Sequence, residues 1–234
     1  MRLLLVEDDA VLGQSMRTAL QRAGYAVDLA LDGLQAEAFG DIEPYDIVVL
    51  DLGLPQQSGL TVLENWRKKG NQVPVVILTA RDTWQEKIEG FKLGADDYIG
   101  KPFQMQELIA RLNAVLKRSQ NNPMTAFAFS GIELVEDTQT LINSDGQRTT
   151  LTSTEYRLLR YFMLNPGKVL SKTRLTEHVY EYDSDKDSNV IEVYVNRLRQ
   201  KIGEGLIQTR RGQGYVFNPE FSLSLNHKPT DSSS

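Results

Sequence analysis

The sequence predicts an α/β doubly wound parallel five-stranded sheet followed by a smaller α+β domain. Three observations carry that expectation. The chain has 234 residues, enough for two domains of ordinary size. Its first half repeats a strand-then-helix pattern five times, and the texture changes after residue 118.

The strands come first. Leu3–Val6, Ala26–Ala30, Ile47–Leu50, Val75–Leu78 and Tyr98-Ile99 are short apolar runs, most of them unbroken. Unbroken runs, unlike alternating ones, suit parallel strands covered by helices on both faces. Between them Val11–Arg22, Leu34–Phe39, Leu60–Lys68, Trp84–Leu93 and Glu107–Arg118 carry helical spacing. In such a sheet, groups at the carboxyl ends of neighbouring strands converge on one crevice.

The second half is ordered differently. Ser119-Gln120-Asn121-Asn122-Pro123 is a polar, proline-ended break and sets a linker at 119–126. Strand-like pieces follow near Phe127–Phe129, Leu134–Val135 and Thr140–Ile142, with a turn at Ser144-Asp145-Gly146. Thr152-Ser153-Thr154-Glu155 is a capping box, and it opens a helix with Tyr156, Leu159, Phe162 and Met163 on one face. Asn165-Pro166-Gly167 stops that helix; a second runs from Ser171 to about Val179, and a third from about Ser188 to Ile202. Gln208–Phe217, turning at Gly212-Gln213-Gly214, reads as a hairpin. The expected units are 1–118, the linker, 127–218, and a flexible tail at 219–234.

Composition removes whole classes of chemistry. Without cysteine there is no disulfide framework, thiol nucleophile, zinc-thiolate site or iron–sulfur cluster. His178 and His227 are too few and too far apart for a histidine metal centre. The Leu3–Val6 run meets Glu7-Asp8-Asp9 at once, and no stretch approaches the roughly 18 apolar residues of a membrane span. A soluble, cytoplasmic protein with no membrane partner is expected.

Polar groups stand at four strand ends: Glu7 and Asp8 after the first strand, Asp51 after the third, Thr79 after the fourth, and Lys101 after the fifth. Three carboxylates so close repel unless a positive charge lies among them, and a hard divalent cation such as Mg²⁺ suits that place. The Asp51 carboxylate could then attack phosphorus to give an acyl phosphate. Lys101 would pair with one phosphoryl oxygen, and Thr79 would donate to another. A single acidic residue after a strand is more often a helix cap, which accounts readily for Asp9. It does not account for five such groups at successive strand ends. Two residues beyond Asp51 stands Gly53, where a phosphohydrolase on the same sheet would need a second acid or base. The pattern therefore favours a switch over a turnover enzyme.

These residues sit in recognisable company. Leu5-Val6-Glu7-Asp8-Asp9, Val49-Leu50-Asp51-Leu52-Gly53-Leu54-Pro55, Leu78-Thr79-Ala80-Arg81 and the stretch Gly94 to Phe103 resemble the receiver domain of bacterial two-component response regulators. The resemblance implies phosphotransfer from a sensor histidine kinase to Asp51, with Mg²⁺ held by Glu7, Asp8, Asp51 and the backbone carbonyl of Gly53. It also implies that Thr79, Tyr98 and Lys101 respond to the phosphoryl group, Tyr98 by turning inward. Read by itself, Tyr98 is an ordinary half-buried strand aromatic. Gly100 departs from the bulkier residue usual before the lysine.

The charges around the fifth strand, by themselves, describe a solvated helix with Glu107 and Arg111 paired at i and i+4. Similarity to OmpR/PhoB-type regulators implies a two-fold receiver dimer instead. Its pairs would be Lys87–Glu107, Asp97–Arg111 and Asp96–Arg118, each occurring twice.

The carboxyl-terminal half is nearly neutral overall, yet Arg197, Arg199, Lys201, Arg210 and Arg211 cluster against the lone acid Glu204. On the third helix Ile191, Val195, Leu198 and Ile202 form a core stripe. Asn189, Val193, Asn196, Arg197 and Gln200 then face outward, a set of groups suited to base edges. Tyr194, Arg199 and Lys201 lie on the flanks, where phosphates would run. Leu151 to Leu159, Asn196 to Lys201 and Thr209-Arg210-Arg211-Gly212-Gln213-Gly214-Tyr215 resemble the winged helix-turn-helix effector of the OmpR/PhoB family. The resemblance implies that the third helix enters the major groove and that Arg211 approaches the minor groove. Gly53-Leu54-Pro55 is similar to the PmrA/QseB branch. The expected molecule is a phosphorylation-activated transcription regulator, not an enzyme. Its partners would be a sensor histidine kinase, double-stranded promoter DNA, a second copy of itself and RNA polymerase.

Overall fold

The computed structural model describes residues 1–80, 84–119, 128–129, 131–135, 138–143, 145–180 and 189–218. Most of the expected linker and all of the expected tail lie outside the described residues, as do the side chains of Lys87 and Asn189.

The first domain runs β1 (Arg2–Val6), α1 (Ala10–Arg22), β2 (Ala26–Ala30), α2 (Gly33–Ile42), β3 (Ile47–Asp51), α3 (Gly59–Lys68), β4 (Val75–Thr79), α4 (Trp84–Lys92), β5 (Asp97–Gly100) and α5 (Met105–Ser119). All five strands are parallel, in the order β2-β1-β3-β4-β5. Every residue of β1, β3 and β4 is buried, which is why their sequences are unbroken apolar runs. From β1 the chain moves outward to β2 and then back to β3, so the order reverses between β1 and β3 and a crevice opens at their carboxyl ends. Asp9 caps α1, accepting from the Val11 and Leu12 amides at 2.9 and 3.0 Å. Ser119 belongs to α5, so the domain ends one residue later than the composition break suggested.

The second domain runs β6 (Ala128–Phe129), β7 (Ile132–Val135), β8 (Thr140–Ile142), β9 (Arg148–Thr150), α6 (Ser153–Leu164), β10 (Val169–Leu170), α7 (Lys172–Val179), α8 (Asn189–Ile202), β11 (Ile207–Arg210) and β12 (Gly214–Phe217). The capping box is present: Thr152 accepts from the Glu155 amide, and Glu155 accepts from the Thr152 amide. Four antiparallel strands precede the helices, and a three-stranded sheet β10-β12-β11 closes the domain.

The two domains meet at the amino-terminal ends of the parallel strands. Met1, Leu20, Tyr25 and Leu116 join Tyr156, Tyr161 and Phe162 in one buried cluster. Arg160, also buried, donates from Nη2 to Asn113 Oδ1 at 2.7 Å and lies over the Tyr25 ring.

Candidate functional site

The strand ends come together as the spacing required. Glu7 follows β1, Asp8 is next to it, and Asp51 ends β3; one carboxylate oxygen of each lies within 4.8 Å of the others. Glu7 and Asp51 are buried, whereas Asp8 faces solvent. Lys101 reaches between the two buried carboxylates, its Nζ 2.6 Å from Glu7 Oε2 and 2.5 Å from Asp51 Oδ2. Burial pushes the Glu7 carboxyl above its usual range, although the Lys101 ammonium pulls the other way. Burial would lower the Lys101 ammonium, but its hydrogen bonds to Asp51 and Glu7 outweigh that and raise it.

The backbone completes the site. The Gly53 amide donates to Asp51 Oδ1 at 3.0 Å, fixing the carboxylate from the loop side. Thr79 ends β4, is buried, and accepts the Lys101 amide on its carbonyl at 2.7 Å. Hard oxygen donors around a single ammonium are a donor set that fits a divalent cation such as Mg²⁺.

Tyr98 lies deeper than a half-buried aromatic, only 7% exposed. Its ring sits against α4, 5.1 Å from Phe91. A Cβ built on Gly90 would fall 1.6 Å from the Tyr98 hydroxyl, so the missing side chain of Gly90 makes the room. Around it, Arg111 Nη1 pairs with Asp97 Oδ2 at 3.1 Å and Arg111 Nη2 with Glu107 Oε1 at 2.9 Å, both within one chain. Asp96 Oδ2 accepts from the Val75 amide at 2.8 Å, and Arg118 is exposed on α5. Lys87 lies on α4, its side chain outside the described residues.

Comparison with known proteins decides the family. A response regulator receiver domain matches residues 3–113, and the carboxyl-terminal domain of transcriptional regulatory proteins matches 146–217. The transcriptional regulatory protein QseB of Haemophilus influenzae is 42% identical over 216 residues, covering 92% of this chain and 97% of that one. The chain belongs to the OmpR/PhoB family of response regulators. The two-component response regulator PhoP of Pseudomonas aeruginosa is 45% identical to this regulator over 227 residues, 93% of this chain and 98% of the relative. A CheY-like receiver domain of Methanospirillum hungatei JF-1 matches with a TM-score of 0.50 at 25% identity, over 51% of this chain and 96% of its own. The regulator is a DNA-binding transcription factor of PmrA/QseB-like type. Among the described residues, no helix is long and apolar enough to cross a membrane.

The regulator's α8 presents the expected two faces. Ile191, Val195, Leu198 and Ile202 are buried, while Val193, Asn196, Arg197 and Gln200 are exposed. Asn189 begins the helix, its side chain outside the described residues. The Arg197 guanidinium lies 5.4 Å from the Tyr194 ring centroid, and Arg211 is exposed at the hairpin tip. The flanking basic residues Arg199 and Lys201 have partners within the chain. Lys201 Nζ is 2.8 Å from Glu155 Oε2, so its ammonium serves the start of α6 instead of standing free for a phosphate. Burial would raise the Glu155 carboxyl, but the Lys201 and Thr152 hydrogen bonds prevail and hold it below the usual range. Arg199 donates to the hairpin at Ile207 and Thr209. A cleft of about 450 Å³ between the start of α7 and the hairpin is lined by Lys172, Thr173, Arg210 and Tyr215, among others.

Proposed function

We propose that this regulator is switched by phosphorylation of Asp51 by a sensor histidine kinase, and that the phosphorylated form pairs through its receiver and binds promoter DNA in the cytoplasm. The observation that carries the reading is Lys101 bridging Glu7 and Asp51 beside Asp8, at the carboxyl-terminal edge of a parallel sheet.

Glu7, Asp8, Asp51 and the Gly53 carbonyl are the groups that would hold Mg²⁺, whose charge offsets that of the incoming phosphoryl group. An Asp51 oxygen attacks phosphorus, the phosphorus–nitrogen bond of the kinase phosphohistidine breaks, and its electron pair stays on the imidazole. Lys101 gives up its contact with Asp51 for a phosphoryl oxygen, and the Thr79 hydroxyl donates to another. The modification adds about 1.5 to 2 negative charges to an already acidic site. Tyr98 couples that change to the α4–β5–α5 face, where Lys87–Glu107, Asp96–Arg118 and an exchanged Asp97–Arg111 pair would hold two receivers together. Asn189, Val193, Tyr194, Asn196 and Arg197 on α8 read the major groove, and Arg211 enters the minor groove. Linking two receivers makes the second DNA contact intramolecular, so affinity rises without new protein–DNA chemistry. RNA polymerase is the partner that would read promoter occupancy.

Incubation of the whole chain with a phosphoramidate donor and Mg²⁺ tests the proposal. Acid-labile phosphate should appear in stoichiometric amount, vanish in Asp51→Ala, and shift the sedimentation equilibrium from monomer toward dimer. Sustained multiple-turnover phosphate release from small phosphoesters would favour a phosphohydrolase. Equal DNA affinity with and without beryllofluoride would establish a regulator indifferent to phosphorylation.

A further inference from the structure

We propose that Arg199 is a positioning residue that fixes the wing against the recognition helix, placing Arg211 without touching DNA itself. This rests on the reading of α8 and the β11–β12 hairpin as the DNA-binding surfaces.

The Arg199 guanidinium is engaged on several sides. Nε donates to the Ile207 carbonyl at 2.9 Å, Nη2 to Thr209 Oγ1 at 2.8 Å, and Nη1 to Asn196 Oδ1 at 3.4 Å. Its central carbon lies 5.8 Å from the Tyr215 ring centroid. One side chain of α8 thus grips β11 at two positions and rests on β12. The planar fork of arginine suits such divergent acceptors, and a lysine ammonium cannot reproduce it.

The hairpin base has separate anchors. Ile207 and Phe217 are buried, and β12 pairs with β10 through Val169↔Val216 and Leu170↔Tyr215. The tip does not share that core: Thr209, Arg210, Arg211, Gly212 and Gln213 are all exposed. Thr209 lies two residues before Arg211, so the clip from Arg199 acts on the segment that carries the wing arginine. Two basic residues of the same helix, Arg197 and Arg199, therefore have opposite duties. Arg197 is exposed and free of the hairpin network, whereas Arg199 is turned into it.

Equilibrium binding of the whole chain to duplexes it selects from a random-sequence library supplies the test, with thermal unfolding of each variant alongside. Arg199→Ala and Arg211→Ala should each weaken binding by about tenfold or more, and the double variant by little beyond the worse single. Arg199→Lys should stay weak although its charge is kept, and Thr209→Val should weaken binding although no charge is removed. Thr209→Val also carries the test should Arg199→Ala fail to fold. Base preference should relax at the positions flanking the major-groove site and persist within it. Wild-type affinity for Arg199→Lys, or multiplying losses in the double variant, would show a direct phosphate contact and overturn the proposal. If Arg197→Ala and Arg211→Ala both bind normally, the reading of these surfaces fails first, and the positioning role with it.

Discussion

The carboxylate of Asp46, just before β3, lies 2.8 Å from Nδ1 of His178 on α7, across the junction of the two domains. The same Oδ2 accepts the Arg2 amide at 2.7 Å, and the His178 ring stacks on Tyr161 at 4.8 Å. One carboxylate therefore serves the receiver backbone and the effector helix together. Asp46→Ala should cost about 1–3 kcal/mol by orphaning buried donors, read as a lower thermal midpoint of the whole chain. Because the two residues share one contact, Asp46→Ala combined with His178→Ala should lose less than the sum of the singles. Strict additivity would mean the contact is not formed in solution.

Glu37 predicts a pH dependence. Hydrogen bonds from Lys69, Gln57 and Asn65 hold its carboxyl down at about 2. A folded-state value below the ordinary carboxylate range favours the folded chain whenever the group is ionised. That contribution is complete above about pH 4.5 and fades as pH falls toward the folded value. Glu37→Gln should thus lower the thermal midpoint near neutrality, and the gap to wild type should close in acid. A gap independent of pH would contradict the assignment.

Lys101→Ala leaves Glu7 and Asp51 facing each other with no ammonium between them. Stability should fall by about 1–3 kcal/mol, discounted for the partial exposure of the lysine. Added Mg²⁺ should raise the midpoint of this variant more than that of wild type. Identical magnesium responses would argue that the carboxylates do not share a cation.

Gly90→Ala places a methyl carbon where the Tyr98 hydroxyl now lies. The ring must leave its place against α4, or the helix must shift, at a cost of roughly 1–3 kcal/mol. A fluorotyrosine signal at position 98, assigned through Tyr98→Phe, should move to a solvent-exposed shift. An unmoved signal would refute the packing described.

Arg197→Ala should weaken selected duplexes by about 1–3 kcal/mol while changing affinity for random duplexes far less. Equal losses on both would mark Arg197 as a phosphate contact.

Much of this was legible in the sequence because burial left plain marks. β1, β3 and β4 are covered on both faces, so their apolar runs are unbroken, and a polar residue at such a strand end stands out. Glu7, Asp51, Thr79 and Lys101 stand out in that way. Arg148–Thr150 is not legible as a strand because three mostly exposed residues of an edge leave no apolar signature. The contacts of Arg199 and Lys201 within the chain are not legible in the sequence for another reason. Helical spacing tells which side of α8 they occupy, but their acceptors at Ile207, Thr209 and Glu155 come from other elements. The depth of Tyr98 was hidden likewise, since it depends on a side chain that Gly90 lacks.

The seam between the domains and the acidic crevice lie at opposite ends of the same strands. Five residues of β1 span about 16 Å, so the place where phosphate would arrive and the place where the effector is fastened share no atoms. Helix α5 touches both ends: it starts shortly after Lys101 and carries Asn113, which holds Arg160. A helix of 15 residues, about 22 Å long, thus runs beside the sheet from the acidic crevice to the seam with the second domain.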